Sequence, residues 1–459
     1  MEDRNGTVTT GRNNGFPGIA RKWLWIALCV IFLLHFGVNC FIALEHREFF
    51  LHDDGSEYME LALSFSRTGE MISEKNRYYE SPRSYPMPEA YRSLLLPFLG
   101  GCFIKVLGNP WIALAVCQAA VMTALSLVLF RIGERIGSEA VGWLALLLIN
   151  LHPLFAVYSM RFSSESLFTL SLAVFTLVFL GKESWGKYVL LGICGGLSVW
   201  VRPTTILLLP ALVCGLLFLL YLRRKTAVGR ERWISIARIG VFSLVFFLCV
   251  LPGGLRNLHH FGTFNLTSYL GGFNLYLGYN SDNLNAYKSR RGKEFLEHQN
   301  KAWERSIALV RNLPESCSGN PALQDRILKE KAFEEIRKMG IGNFLYLGFA
   351  KAWHFIRPWP LYGAHGLFQF AVVALWECGL FLCAGFGIWL LRRKTEFLLI
   401  AALVIGTGWA AHAGVHVLMR HRAPFLDPFL VLFTAYALAW ILEKGVERWK
   451  RIRALQIMR

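Results

Sequence analysis

The chain has 459 residues, 54% of them hydrophobic and only 17% charged, with a formal net charge of +18. That balance excludes an ordinary soluble enzyme. It does not describe a nucleic-acid-binding domain either, because the basic residues stand in short clusters between apolar blocks rather than along one folded basic face.

In chain order, about twenty polar residues precede the first apolar block, Trp23 to Phe41, which lacks a cleavage site and reads as an uncleaved anchor. Further blocks follow at Trp111 to Phe130, Trp143 to Tyr158, Leu207 to Tyr221, Ile234 to Leu251, Phe368 to Leu391 and Phe397 to Val417. Each approaches the roughly 20 residues that carry a helix across the hydrocarbon. Backbone amides in lipid must be satisfied within their own segment, so these blocks are predicted helices. Leu94 to Leu107 is short and Phe344 to Ile356 is interrupted by Lys351 and His354, so both are expected to be interfacial or re-entrant.

Positive clusters mark cytoplasmic loops. Arg21 and Lys22, Arg131 and Arg135, Lys182 and Lys187, Arg223 to Lys225 with Arg230 and Arg232, Arg392 to Lys394, and the tail from Lys444 alternate with outside turns. The parity gives about ten spans with both termini inside. The expected division is a tail at 1–22, a membrane core at 23–251 with its first exterior loop at 45–110, an extracytoplasmic cap at 252–340, a second membrane region at 341–442 and a tail at 443–459. Within the cap, Phe295, Ala302, Ile307 and Val310, then Leu323, Ile327, Phe333 and Ile336, recur at helical spacing and predict amphipathic helices.

The exterior face collects Asp53, Asp54, Glu57, Arg92, Glu165, Arg202, Arg256, Arg420 and Arg422, each at the end of an apolar block. Ionisable groups at membrane depth are expensive and mark a functional site by default. Arginine recognises phosphate in a planar, bidentate way, and a carboxylate can take a proton from a hydroxyl or amine. The combination suits a reaction between a lipid-linked phosphate and a polar acceptor.

Several segments are also familiar. Asp54-Gly55-Ser56-Glu57-Tyr58 with Leu61-Ala62 resembles the first-loop segment of the glycosyltransferase family 39-like branch of the GT-C superfamily, which includes protein O-mannosyltransferases and the lipid A aminoarabinose transferase. Pro88 to Arg92 with Pro97, Ser164-Glu165, Arg202-Pro203, Arg256-Asn257, Gly271 to Tyr276 and Arg420-His421-Arg422-Ala423-Pro424 are similar to later segments of that family, in the same order. Ser93, Leu94 and Leu96 depart from its pattern. The resemblance implies an all-α GT-C-type bundle with juxtamembrane helices and a small helical periplasmic cap. It implies an enzyme of the plasma (inner) membrane that transfers a sugar, with inversion, from a polyprenyl-phosphate donor to an envelope lipid, glycan or protein on the extracytoplasmic face.

By the same resemblance Asp54 would be the general base or acceptor-orienting carboxylate and Glu165 a second acid. Arg92, Arg420 and Arg422 would hold the phosphate, supported by Arg202 or Arg256, and Asp53, Tyr58, Asn274 and Tyr276 would bind substrate. Outside carboxylates are compatible with a divalent cation, Mg²⁺ or Mn²⁺, although no closed ligand set is visible and arginines can do the same work.

Plainer readings stand beside these. Asp54 with Glu57 has capping-box character, and Glu165 could be a solvated carboxylate favoured by a helix dipole. Arg420 and Arg422 could snorkel to lipid headgroups, while His412 and His416 are expected to pack between helices. Gly195-Gly196 and Gly271-Gly272 lack the strand-to-helix setting of a nucleotide loop, which favours a lipid-linked donor over a nucleotide sugar. A transporter or flippase of lipid-linked glycans is the alternative. Transporters, however, place binding groups near the bilayer midplane, whereas these acids sit at span ends.

Overall fold

The computed structural model describes residues 17–74, 86–222, 230–289, 292–360 and 366–457. The first sixteen residues and the cluster Arg223 to Lys225 lie outside them. The described chain is almost wholly helical. It opens with α1 (Pro17–Glu45), a short α2 (Arg47–Phe50) and α3 (Gly55–Thr68). A two-stranded antiparallel pair, β1 (Ile72–Ser73) with β2 (Met87–Pro88), follows, and the sequence had not announced it. Then come α4 (Leu95–Leu107), α5 (Pro110–Ile136), α6 (Glu139–Leu151), α7 (Pro153–Ser159), α8 (Ser164–Phe179), α9 (Trp185–Val201), a 3₁₀ turn, α10 (Leu208–Leu222) and α11 (Arg230–Phe261).

Among the described residues, six helices are long and apolar enough to cross a membrane: α1, α5, α11 and three in the C-terminal third, α16 (Leu367–Leu390), α17 (Thr395–Ala413) and α19 (Asp427–Ile457). Between α11 and α16 lie α12 (Gly271–Tyr279), α13 (Ser281–Lys288), α14 (Gly292–Arg311) and α15 (Pro321–Ile356), and α18 (Met419–Arg422) links α17 to α19. The pair α6 and α7 makes a seventh span if counted as one, bent by 66°. The block from Trp143 to Tyr158 is therefore broken rather than straight. His152 precedes Pro153, whose ring pushes its neighbour out of the helical region, and His152 is extended at φ −70°, ψ 119°. Among the described residues α4, α8, α9 and α10 are apolar but shorter, against the ten spans expected from the charge pattern.

Four expected boundaries fall inside helices. α1 runs through residue 22, α11 carries Pro252 within it and continues to Phe261, α15 runs through residue 340, and α19 through residue 442. At Gly340 the backbone breaks at φ 74°, so α15 is two helical segments meeting at the predicted end of the cap.

In the cap, Phe295, Ala302 and Val310 of α14 are buried as their spacing predicts. The register predicted for the next helix is corrected. Its buried stripe is Gln324, Asp325, Leu328 and Ala332, and Phe333 is exposed, because α12 packs on that face of α15 and takes a carboxylate with it. Asp325 Oδ1 accepts the Gly272 N–H at 2.5 Å. The cap sits directly on the bundle. A Cβ at Gly278 would stand 1.8 Å from the Val415 carbonyl, so only glycine allows this approach. Beside it, the buried Lys351 ammonium donates to the same carbonyl at 2.7 Å.

Candidate active site

Alternate ends of successive helices gather at one end of the bundle, the end that holds the C-termini of α9 and α11 and the start of α8. Here Asp54 stands at the N-cap position of α3 but makes no capping hydrogen bond with its side chain. Its carboxylate instead faces two guanidinium groups, Arg92 Nη2 at 3.1 Å and Arg420 Nη2 at 3.7 Å. The reading of Asp54 as a cap alone is thus set aside. Glu57, read as its capping partner, is ion-paired with Arg92 Nε. Asp53 adopts φ 61°, a left-handed conformation that aspartate tolerates better than most residues. That turn aims its carboxylate at Arg161 (3.6 Å), Arg420 (3.5 Å) and His52 (3.0 Å).

Gly55 makes the assembly compact. A Cβ there would lie 3.0 Å from the Phe162 carbonyl, and the Phe162 N–H donates to the Phe50 carbonyl at 2.8 Å. The first loop is thereby pressed against the turn before α8. Ser163 is the N-cap of α8, and Glu165, in its first turn, is 4% exposed. Its Oε1 accepts from Arg202 Nη2 at 2.5 Å, so Glu165 is not a solvated helix-start carboxylate. Arg202 reaches it because it precedes Pro203 and leaves α9 extended at φ −147°, ψ 122°.

His52, Asp53, Asp54, Tyr58, Tyr158, Arg161, Ser163, Glu165 and Arg420 line a single small cavity. Two residues that sequence reasoning left aside, Arg161 and Tyr158, are part of it. Burial, and then the charge of Asp54, push the Tyr58 phenol up to about 12, so it is a proton donor at neutral pH. In total, Asp53, Asp54, Glu57 and Glu165 are matched here by Arg92, Arg161, Arg202 and Arg420.

Arg92 also lines a second, adjoining cavity with Glu89, Ser93, Trp200, Arg256, Asn257, Thr267 and Ser268. Glu89 shapes the turn that delivers Arg92, its Oε1 accepting the N–H of both Tyr91 and Arg92 at 2.6 Å. Arg256 contacts Asn257 Oδ1 at 3.5 Å and has no carboxylate partner among the described residues. Trp200 forms a wall, its indole N–H fixed on the Cys249 carbonyl at 2.9 Å.

Three expected site residues lie elsewhere. Asn274 and Tyr276 belong to α12, which packs on α15 and α14, and Tyr276 is buried there with its hydroxyl against Arg305. Arg422 is 1% exposed and enters neither cavity. It is ion-paired with Glu377 at 2.7 Å and with Asp427 at 2.9 Å and donates to the Arg357 carbonyl at 2.7 Å, tying α16, α19 and α15 together. Residues i and i+2 of one helical turn point about 200° apart, so Arg420 and Arg422 cannot serve the same pocket.

His152, Glu377 and Asp427 are the group among the described residues whose ligand atoms, all within 4.8 Å of one another, could hold a metal. They do not fit a divalent ion as they stand. The Arg422 guanidinium already bridges both acids, and a metal there would set two cations side by side.

Residues 91–252 match the family model of dolichyl-phosphate-mannose-protein mannosyltransferases, a stretch that contains Arg92, Glu165 and Arg202. No curated protein matches the sequence. The Archaeoglobus fulgidus oligosaccharyltransferase in its apo form aligns with 93% of this chain at 13% identity and a TM-score of 0.53. The same protein tethered with an acceptor peptide containing the NVT sequon aligns with 90% at 15% identity and 0.50. The chain spans about half the length of that protein, 52% and 50% in the two structures. ArnT from Cupriavidus metallidurans bound to undecaprenyl phosphate aligns with 89% of this chain and 76% of its own at 14% identity, with a TM-score of 0.35 that adds nothing to the fold assignment. The family match covers residues 91–252, about a third of the chain, and the helical fold is similar to that of the archaeal oligosaccharyltransferase.

Proposed function

We propose that the chain transfers a sugar from a polyprenyl-phosphate donor to an envelope lipid, glycan or protein, with inversion at the anomeric carbon, on the extracytoplasmic face of the inner membrane. The observation that carries this reading is that Asp54 and Arg420, from opposite ends of the sequence, share one cavity with Glu165. Asp54 orients the acceptor and takes the proton from its attacking hydroxyl or amine. The new bond forms at the anomeric carbon as the bond to the phosphate oxygen breaks, and the lipid phosphate leaves with the electron pair. Glu165, fixed by Arg202, places the acceptor, while Asp53 and Tyr58 complete that side of the pocket.

Arg92 stands between the two cavities and so can contact the phosphate from one side and Asp54 from the other. Arg420 and Arg256 supply the remaining charge compensation, the contribution that grows as the leaving phosphate develops charge. Holding both reactants in register across these neighbouring cavities lowers the barrier further. No step is assigned to a metal ion. The position of the charged groups at helix ends favours transfer over a transporter, whose sites lie near the midplane.

The test is transfer by the purified protein from a labelled polyprenyl-phosphate sugar to an envelope extract, with the anomeric configuration of the product read by NMR. A new glycosidic bond of inverted configuration is expected. Movement of the lipid-linked sugar across vesicles with no bond formed would instead assign the chain to transport.

A further inference from the structure

At the other end of the same helices lies a cavity unconnected with transfer. From Glu165 to Phe179, α8 spans about 20 Å at 1.5 Å per residue, and at Phe179 a cavity of about 150 Å³ opens between α8, α9, α10, α11 and α17. One wall is apolar, built from Phe179, Leu191, Leu216, Leu220 and Ile239. The other carries Glu183, Lys187, Tyr188, Arg238 and Glu396. Glu183 is held by Lys187 Nζ at 2.5 Å and faces Arg238 Nη1 at 3.6 Å. The buried Arg238 Nε has no hydrogen-bond partner, and Glu396 has no cationic partner among the described residues. Arg238 lies 5.7 Å over the Trp185 ring, and on the helices that line the cavity Trp185, Tyr221 and Trp233 are 48%, 55% and 72% exposed. Exposed aromatics of this kind mark the headgroup level of a bilayer.

We infer that this cavity is a binding site for a zwitterionic phospholipid with a primary amine, a phosphatidylethanolamine. Its phosphate meets Arg238 and Lys187, its ammonium meets Glu396, and its acyl chains run along the apolar wall of α10. The charges argue for that headgroup over an anionic one. Among the described lining residues two cations face two acids, with the buried, unsatisfied Arg238 Nε on α11 and the exposed Glu396 carboxylate at the mouth on α17. A neutral headgroup carrying both signs satisfies both, whereas a purely anionic one leaves Glu396 facing a phosphate. The inference rests on this cavity alone and is independent of the proposed transfer.

The experiment uses the full chain, purified in detergent and stripped of lipid, with native mass spectrometry and thermal unfolding as readouts. Phosphatidylethanolamine should remain bound and raise the melting temperature more than phosphatidylglycerol or phosphatidylcholine. Arg238→Gln should abolish the shift for every phospholipid, and Glu396→Gln should remove only the preference for the ethanolamine headgroup. Should Arg238→Gln fail to fold, Leu220→Trp, which fills the apolar wall, provides the same loss without touching a charge. Equal shifts for all headgroups, retention of the shift in Arg238→Gln or Leu220→Trp, or equal protection by water-soluble phosphoethanolamine would overturn the inference.

Discussion

Arg420 and Arg422 stand two residues apart in one four-residue turn, yet they belong to different kinds of environment. Arg420 is a quarter exposed and opens onto a cavity with Asp53 and Asp54. Arg422 is buried and closed off by Glu377 and Asp427, and it joins three helices rather than meeting a ligand. The same residue type, repeated in one short motif, thus serves chemistry at one position and architecture at the next. Which role each takes is decided by the acids that the helical bundle brings opposite it.

Exchanging the two arginines in turn gives the largest contrast. Arg422→Met leaves two buried carboxylates without their cation, a loss of about 3–5 kcal/mol for breaking a buried ion pair from one side. It should appear as a sharply lower melting temperature or poor accumulation in the membrane. Arg420→Met should leave the melting temperature unchanged and lower transfer by a factor on the order of 10²–10³, the usual cost of removing one group that stabilises developing charge. Equal loss of stability in both variants would erase the distinction drawn here.

Glu165→Gln refines the comparison within the pocket. It keeps the shape but weakens the hold on Arg202, and transfer should fall while the protein still folds, which an acceptor titration would register mainly as a raised KM. Gly55→Val has a smaller effect. Forcing the loop off the Phe162 carbonyl by a few tenths of an ångström costs on the order of 1–3 kcal/mol of overpacking strain, and transfer should drop in proportion as Asp54 retreats.

The smallest effect concerns Glu89, whose burial pushes its carboxyl above the ordinary carboxylate range. The native state then binds a proton more tightly than the unfolded one, so stability falls as the pH rises from the ordinary value to the raised one. Glu89→Gln should flatten that part of the stability profile, measured by thermal unfolding across pH.

Much of this was legible in the sequence because lipid imposes simple rules. Blocks of apolar residues had to be helices, and the alternation of basic clusters put Asp54, Arg92, Glu165, Arg202 and Arg420 at one end before any contact was known. Asp54 could be a cap or a site residue, and only its partners decided between them. Arg422 could not be separated from Arg420, since its partner Glu377 lies in the middle of an apolar helix where one acid hardly disturbs the hydropathy. Asn274 and Tyr276 were drawn into the site by motif order alone, but the packing of α12 on α15 and α14 holds them away from the two cavities. The break at Pro153 is missed when Trp143 to Tyr158 is read as one block, although proline constrains its predecessor wherever it falls.

The central claim is that the carboxylate at position 54 carries the transfer chemistry, and Asp54→Asn measures it most directly. In this variant the side chain keeps its shape while losing its charge and its capacity to take a proton. Single-turnover transfer from a polyprenyl-phosphate sugar should fall by a factor on the order of 10²–10⁴, the range for a positioned general base, in protein that melts at the wild-type temperature. Transfer at the wild-type rate by that variant would contradict the account.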